Sequence, residues 1–199
     1  PSGDSYIPSA GLIVQTVAST NYDSTPTVVV NDLPSSVSFW AGTPSSVSTS
    51  TQTVSYVGTA GATYTTKFLF SISNANVTSL IGAIDASQAA GSALLFGSGS
   101  SVVHGSDLGG AGTVTFRLTG TNANDNTFAG VINTTIDAVS KTGTGRWILS
   151  GTNTYTTATS ISAGTLSIQN DAGLGGSSSS AGVTVSSGAT LEITGGRTI

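Results

Sequence analysis

The single histidine, His104, stands in Val103-His104-Gly105-Ser106-Asp107, beside the hydroxyl and the carboxylate that a nucleophilic triad would need. Residues this close within one turn do not bring nucleophile, base and orienting group into line. His104 therefore reads as a surface-loop histidine. Gly3-Asp4-Ser5 has the form of a nucleophile block that works with a later Asp and His, but no His follows residue 104. The nine carboxylates are dispersed: Asp4, Asp23, Asp32, Asp85, Asp107, Asp125, Asp137, Asp171 and Glu192. No two share a strand at i, i+2, so a paired acid and base would have to meet across separate segments.

Metal and ligand chemistry fare similarly. Asn122, Asn124, Asp125 and Asn126 form an oxygen-rich cluster suited to a hard cation, yet Asn-rich corners ordinarily serve as turns, and a Gly-Gly-Asp calcium repeat is absent. Trp40, Trp147, Tyr22, Tyr56 and Tyr155 are too scattered for a sugar-stacking platform, and Trp147 alternates with Ile148 so as to point inward beside Leu149. Outward Thr ladders can order water and bind ice, but Thr154, Thr156, Thr157 and Thr159 keep no fixed period. The expectation is a non-enzymatic chain with no catalytic, cofactor-binding or metal-ligating residue.

Composition narrows the class further. Among 199 residues there are nine Asp or Glu, five Lys or Arg, no Cys, no Met and 26 Gly, with a net charge of -4. Ser and Thr supply about a third of the chain, while Val, Ile, Phe, Tyr and Trp recur in short runs, which marks a β protein. Five scattered basic residues give no footprint for nucleic acid. The apolar runs fall far below the ~20 residues of a membrane helix. A chain free of Cys and Met suits an exported, processed bacterial surface protein.

A repeat organises the second half. Gly112-Thr113-Val114-Thr115-Phe116 is answered by Gly143-Thr144-Gly145-Arg146-Trp147, by Gly164-Thr165-Leu166-Ser167-Ile168 and by Gly188-Ala189-Thr190-Leu191-Glu192-Ile193. Each unit offers a turn glycine followed by inward apolar and outward polar residues. One such strand cannot offset its own ordering entropy, whereas stacked strands bury a continuous ladder. The predicted fold is all-β, a right-handed parallel β-helix, with Gly and Asn supplying positive-φ corners.

Those residues carry a family resemblance. The stretch KTGTGRWILSGTNTYTTATSISAGTLSIQN, Lys141 to Asn170, resembles the autotransporter-associated β-strand repeat of bacterial passenger regions. The flanking NDNTFAGVI and AGVTVSSGATLEITGG are similar to what borders that repeat in long adhesins, so the likeness runs from about Gly112 to Ile199. Thr157 departs from the family, which usually has Gly there. The resemblance implies a structural or adhesive scaffold without catalytic residues, with further repeats or an outer-membrane barrel downstream.

Before residue 110 the repeat fades. Residues 1–110 read as an N-terminal cap or atypical first coils, the alternative being a separate β domain, and residues 111–199 as the β-helix coils. Tyr64, Phe68, Phe70 and Ile72 alternate within a strand predicted over Thr63 to Ser73. Val77, Leu80, Ile81 and Ile84 fall at i, i+3, i+4 and i+7, which predicts a short helix at about 76–89. Further strands are expected over Gly11 to Thr16, Thr27 to Val30, Val37 to Trp40, Thr53 to Val57 and Ala93 to Phe96, with Ser45 to Thr53 as a loop.

The expected role is a secreted, cell-surface rod that contacts glycan or protein of the matrix or host. Its alternative is a subunit of an extracellular fibre joined end to end, because Thr194 to Ile199 break off inside the coil pattern and leave an open strand edge. A polysaccharide-cleaving or ice-binding β-helix ranks below both.

Overall fold

The computed structural model describes residues 12–16, 27–30, 35–41, 49–56, 61–72, 77–87, 91–105, 112–176 and 182–195. Within them every regular element is a strand, and the strands pair in parallel. The chain begins with β1 (Leu12–Thr16) and β2 (Thr27–Val30). It then makes four three-strand circuits. These are β3 (Ser36–Ala41), β4 (Thr49–Tyr56) and β5 (Thr63–Tyr64); β6 (Lys67–Ile72), β7 (Ser79–Asp85) and β8 (Leu95–Phe96); β9 (Ser101–His104), β10 (Thr113–Thr119) and β11 (Asn126–Phe128); and β12 (Val131–Ile132), β13 (Ala138–Lys141) and β14 (Arg146–Leu149). Two shorter circuits follow, β15 (Thr159–Ile161) with β16 (Thr165–Ile168), and β17 (Val183–Val185) with β18 (Thr190–Ile193).

Strands at equivalent places in successive circuits stack. The first sheet runs β1-β3-β6-β9-β12, the second β2-β4-β7-β10-β13-β15-β17, and the third β5-β8-β11-β14-β16-β18. This is a parallel β-helix. Strands before residue 110 occupy the same three sheets as those after it.

The core consists of in-register rows. In the third sheet Tyr64, Phe96, Phe128, Leu149, Ile168 and Ile193 align. In the second, Val28, Val54, Ile84, Leu118, Lys141, Ile161 and Val185 align, one lysine among aliphatic side chains. Rows from different sheets meet through aromatics, with Phe68 and Phe96 5.4 Å apart and Phe116 and Phe128 5.5 Å apart between ring centroids, while Phe96 and Phe128 lie 5.6 Å apart within the third-sheet row. Tilted and edge contacts of this kind add to the burial of the rings themselves.

The structure corrects several sequence expectations. The helix expected at about 76–89 is replaced by β7, whose inward residues are Leu80, Gly82 and Ile84. Gly82 is an inward position without a side chain, so the two-residue period is hidden and the apolar residues at three and four apart look helical. A Cβ there would overlap the Phe70 ring and lie 2.7 Å from Cδ2 of Phe39. The strand expected over Thr63 to Ser73 divides into β5 and β6, since alternation carries on through the corner at Thr65 and Thr66 and conceals it. Much of the Ser45 to Thr53 loop belongs to β4, where Ser50 and Gln52 are buried polar residues. Gln52 accepts from the Trp40 N–H at 3.0 Å and donates to its carbonyl at 2.9 Å. The Gly112 unit is also out of phase with its sequence partners, because β10 lies in the second sheet whereas β14, β16 and β18 lie in the third.

Gly82→Ala separates strand from helix. In an exposed helix interior this change would stabilise by about 1 kcal/mol. Here it should destabilise by about 1–3 kcal/mol through overpacking against Phe39 and Phe70, measured by denaturant unfolding.

Candidate functional site

Parallel coils must satisfy the N–H and C=O groups where the chain turns from one sheet to the next, since a buried backbone group left unpaired costs about 1–3 kcal/mol. The turn after the third sheet gives Asn153 to that task, and the corner between the second and third sheets gives Lys141, Asn122 and Asn126. Positive φ is confined to glycines there, among them Gly120, Gly143 and Gly164, and no described non-glycine residue adopts it. The expected Asn contribution to positive-φ corners is thus corrected: asparagines act through their side chains. Gly143 illustrates the spacing, because a Cβ on it would lie 2.7 Å from the Gly120 nitrogen of the coil beneath.

Lys141 ends β13 with its side chain fully buried. Its register neighbours are Leu118 and Ile161, so the aliphatic stem continues an apolar row. Its ammonium donates to the carbonyls of Thr142 and Gly143 at 2.8 Å each and of Ala163 at 3.0 Å. The first two belong to its own coil and the third to the next. Removal from water pushes the Lys141 ammonium down to about 8.

Asparagines form the second set. Asn126 is buried and starts β11; its Oδ1 accepts from the Leu94 N–H at 2.9 Å, and its Nδ2 donates to the Arg146 carbonyl at 2.8 Å. One side chain therefore joins the coil before it to the coil after it. Asn153 repeats the device, accepting from the Ile132 N–H at 2.9 Å and donating to the Gly173 carbonyl at 2.8 Å. Asn122 donates to the Ser92 carbonyl at 2.7 Å and accepts from the Asn124 N–H at 2.9 Å. The corner considered for a hard cation thus has its amides engaged in joining coils.

On the outer face of the third sheet Arg146 pairs with Asp125 at 2.7 Å and, through its other arm, with Glu192 of β18. Burial lowers the Arg146 pKa, but its bonds and charge contacts with the two carboxylates outweigh that and leave it raised. The remaining described acids lie apart. Asp85 accepts from the Ser87 N–H at 2.8 Å, Asp137 accepts from the Val114 N–H at 2.7 Å, and Asp171 is exposed. No group of three His, Asp or Glu residues that could hold a metal occurs among the described residues.

The other residues singled out from the sequence are dispersed. His104 ends β9 in register with Phe70, half-buried, rather than lying in a loop, and its N–H donates to Thr135 Oγ1 at 2.9 Å. Ser106, Asp107, Gly3 to Ser5, Tyr22, Asp23 and Asp32 lie outside the described residues. Trp147 is fully buried, with Nε1 donating to the Thr119 carbonyl at 2.9 Å, as its alternation with Ile148 implies. Trp40 is half-buried, while Tyr56 and Tyr155 are core residues. Thr154 and Thr156 are exposed and Thr157 is half-buried, but Thr159 points inward and shares a 2.8 Å hydrogen bond with the Tyr155 hydroxyl. Thr157, at the place where a glycine was expected, donates to the Ile136 carbonyl at 3.2 Å.

Residues 139–168 match the passenger-associated-transport-repeat. The passenger repeat begins in β13, passes through β14 and β15, and ends with β16. It contains Lys141 and all three carbonyls that receive its ammonium, together with Asn153, Tyr155 and Trp147. The conspicuous Lys-Thr-Gly-x-Gly of the passenger repeat is thus a corner that joins two coils. No curated protein and no solved structure matches the chain.

Lys141 and the two asparagines were not recognisable as core residues from hydropathy. The available signal was positional: Lys141 stands two residues after inward Val139, and Asn126 two residues before inward Phe128. Asn126→Ala would leave the Leu94 N–H and the Arg146 carbonyl unpaired and should cost about 2–4 kcal/mol in equilibrium unfolding. Arg146→Gln should cost only about 0–1 kcal/mol, with the difference from wild type shrinking as salt is added.

Burial pushes the Tyr155 phenol up to about 12, against the downward pull of its bond to Thr159. An unfolded tyrosine ionises near ~10. Between those values the unfolded chain has released a proton that the folded chain retains. The contribution is therefore fully present below pH ~10 and lost as pH rises towards ~12. Unfolding midpoints measured across that window should fall more steeply for wild type than for Tyr155→Phe.

Proposed function

We propose that the chain is a non-enzymatic segment of a bacterial surface passenger, a stiff β-helical rod that displays a polar surface outside the cell and adheres through it. The observation that carries this reading is the passenger repeat at residues 139–168, whose buried Lys141 and Asn153 side chains join coils. Its partners are glycan or protein components of a matrix or host surface. Contacts would come from the Ser, Thr and Asn side chains of the outer faces, many and individually weak.

With only 7% charged residues, such contacts should depend little on ionic strength. Immobilised purified chain, tested against glycan arrays and matrix proteins, is expected to give saturable binding that persists at ~1 M salt, where the Debye length is about 3 Å. Depolymerisation of an acidic glycan by the chain, lost on Asp→Ala substitution, would replace this reading with an enzymatic one.

A second reading is a subunit of an end-to-end fibre, joined through inward rows such as those of β17 and β18. Val183, Val185 and Ile193 occupy inward rows yet are 36%, 42% and 44% exposed, because no described coil covers them. Filaments that lengthen with concentration in negative-stain electron microscopy, and that disappear with Val185→Asp, are the outcome this reading requires. A monomeric rod at every concentration contradicts it.

A further inference from the structure

The Lys141 ammonium has three N–H donors, and three backbone carbonyls take them, at 2.8, 2.8 and 3.0 Å. None of the ion pairs between described residues involves Lys141; they join Arg146 to Asp125 and Glu192. Oxygen dipoles rather than a carboxylate therefore hold this charge. The row it interrupts is otherwise aliphatic, with Leu118 before it and Ile161 after it, and either of those would fill the stem's volume without the charge. What the lysine adds is a cation placed where three carbonyls converge, two from one coil and one from the next. Thr142, Gly143 and Ala163 are themselves half-buried, so this cage lies one residue beneath the surface of the corner.

We propose that the corner formed by the Thr142, Gly143 and Ala163 carbonyls is a cation site for a primary ammonium, filled in the native chain by Nζ of Lys141. The tethered cation locks β13 to the coil that carries β15 and β16. Cutting the side chain back to Cβ vacates the volume of one propylammonium ion and leaves the three acceptors in place. The same cage is then open to a free alkylammonium. A cation lacking N–H donors meets the carbonyls without making their hydrogen bonds and binds poorly.

The test uses the whole chain and thermal unfolding. Lys141→Ala is expected to unfold at lower temperature than wild type. Propylammonium chloride should restore it in a saturable manner, tetramethylammonium chloride at equal ionic strength should not, and neither salt should distinguish itself on wild type. Lys141→Met keeps the bulk of the stem without the charge and is expected to be destabilised and not rescued. Wild-type stability in Lys141→Met, or equal effects of the two salts on Lys141→Ala, would overturn the proposal. Should Lys141→Ala fail to fold, the native chain decides through its two lysines. An amine-acylating reagent should modify exposed Lys67 while Lys141 stays unmodified, as read by peptide mass spectrometry. Equal modification of both would overturn the proposal.

Discussion

A chain that winds through three parallel sheets turns a corner after every strand, and at each corner its peptide groups leave the ladder that would have paired them. Water can serve the outer groups, but those turned towards the core need partners from the protein. Here the partners are side chains that reach along the helix axis. Asn126 and Asn153 each accept from the preceding coil and donate to the following one, and Lys141 joins three carbonyls across two coils. Strand pairing alone defines the sheets. The corner bonds tie neighbouring coils together between the sheets.

The two regions of the rod fill their interiors differently. Between β3 and β11 the interior is filled by Phe39, Phe68, Phe70, Phe96, Phe116 and Phe128, large rings that bridge between rows. From β15 onward the circuits are shorter, and from β13 onward aromatic residues thin out to Trp147 and Tyr155. Polar side chains are buried in both regions, at Gln52, Thr66 and Asn126 in the earlier coils and at Lys141, Asn153 and Thr159 in the later ones. Directional bonds from buried polar side chains run through both regions. Such bonds fix geometry: an apolar row tolerates small slips along the axis, whereas a carbonyl cage or a bidentate amide does not. For a rod whose proposed role is to hold a surface away from the cell, a fixed coil height is the property that matters.

How much of this was legible in the sequence depended on whether an inward position carries an apolar side chain. Thr27–Val30, the Phe68 and Phe70 alternation, and the inward Trp147 could be read directly, because β-branched or aromatic residues mark every second place. Gly82 left its inward place blank and turned β7 into an apparent helix. Ser50 and Gln52 disguised the start of β4 as a loop. Corners were harder, since Thr65 and Thr66 keep the alternation going while the chain changes sheet. The glycine motif identified stacked coils but not their phase, which is why the Gly112 unit was aligned with strands of another sheet. Lys141, Asn126 and Asn153 were hidden for the same physical reason that makes them useful, as polar groups whose partners come from other coils.

Native-state amide hydrogen exchange is the most direct measurement of whether side-chain bonds at the corners hold the coils together. The Leu94 and Ile132 N–H groups, bonded to Asn126 and Asn153 respectively, are its reporters. If corner bonds are as strong as the ladders they connect, both amides should exchange only through global unfolding, with the same protection as the inward-row amides of β10 and β14. Exchange of Leu94 and Ile132 on the timescale of local fraying, while β10 and β14 stay protected, would contradict the account and leave strand pairing and core burial to hold the coils by themselves.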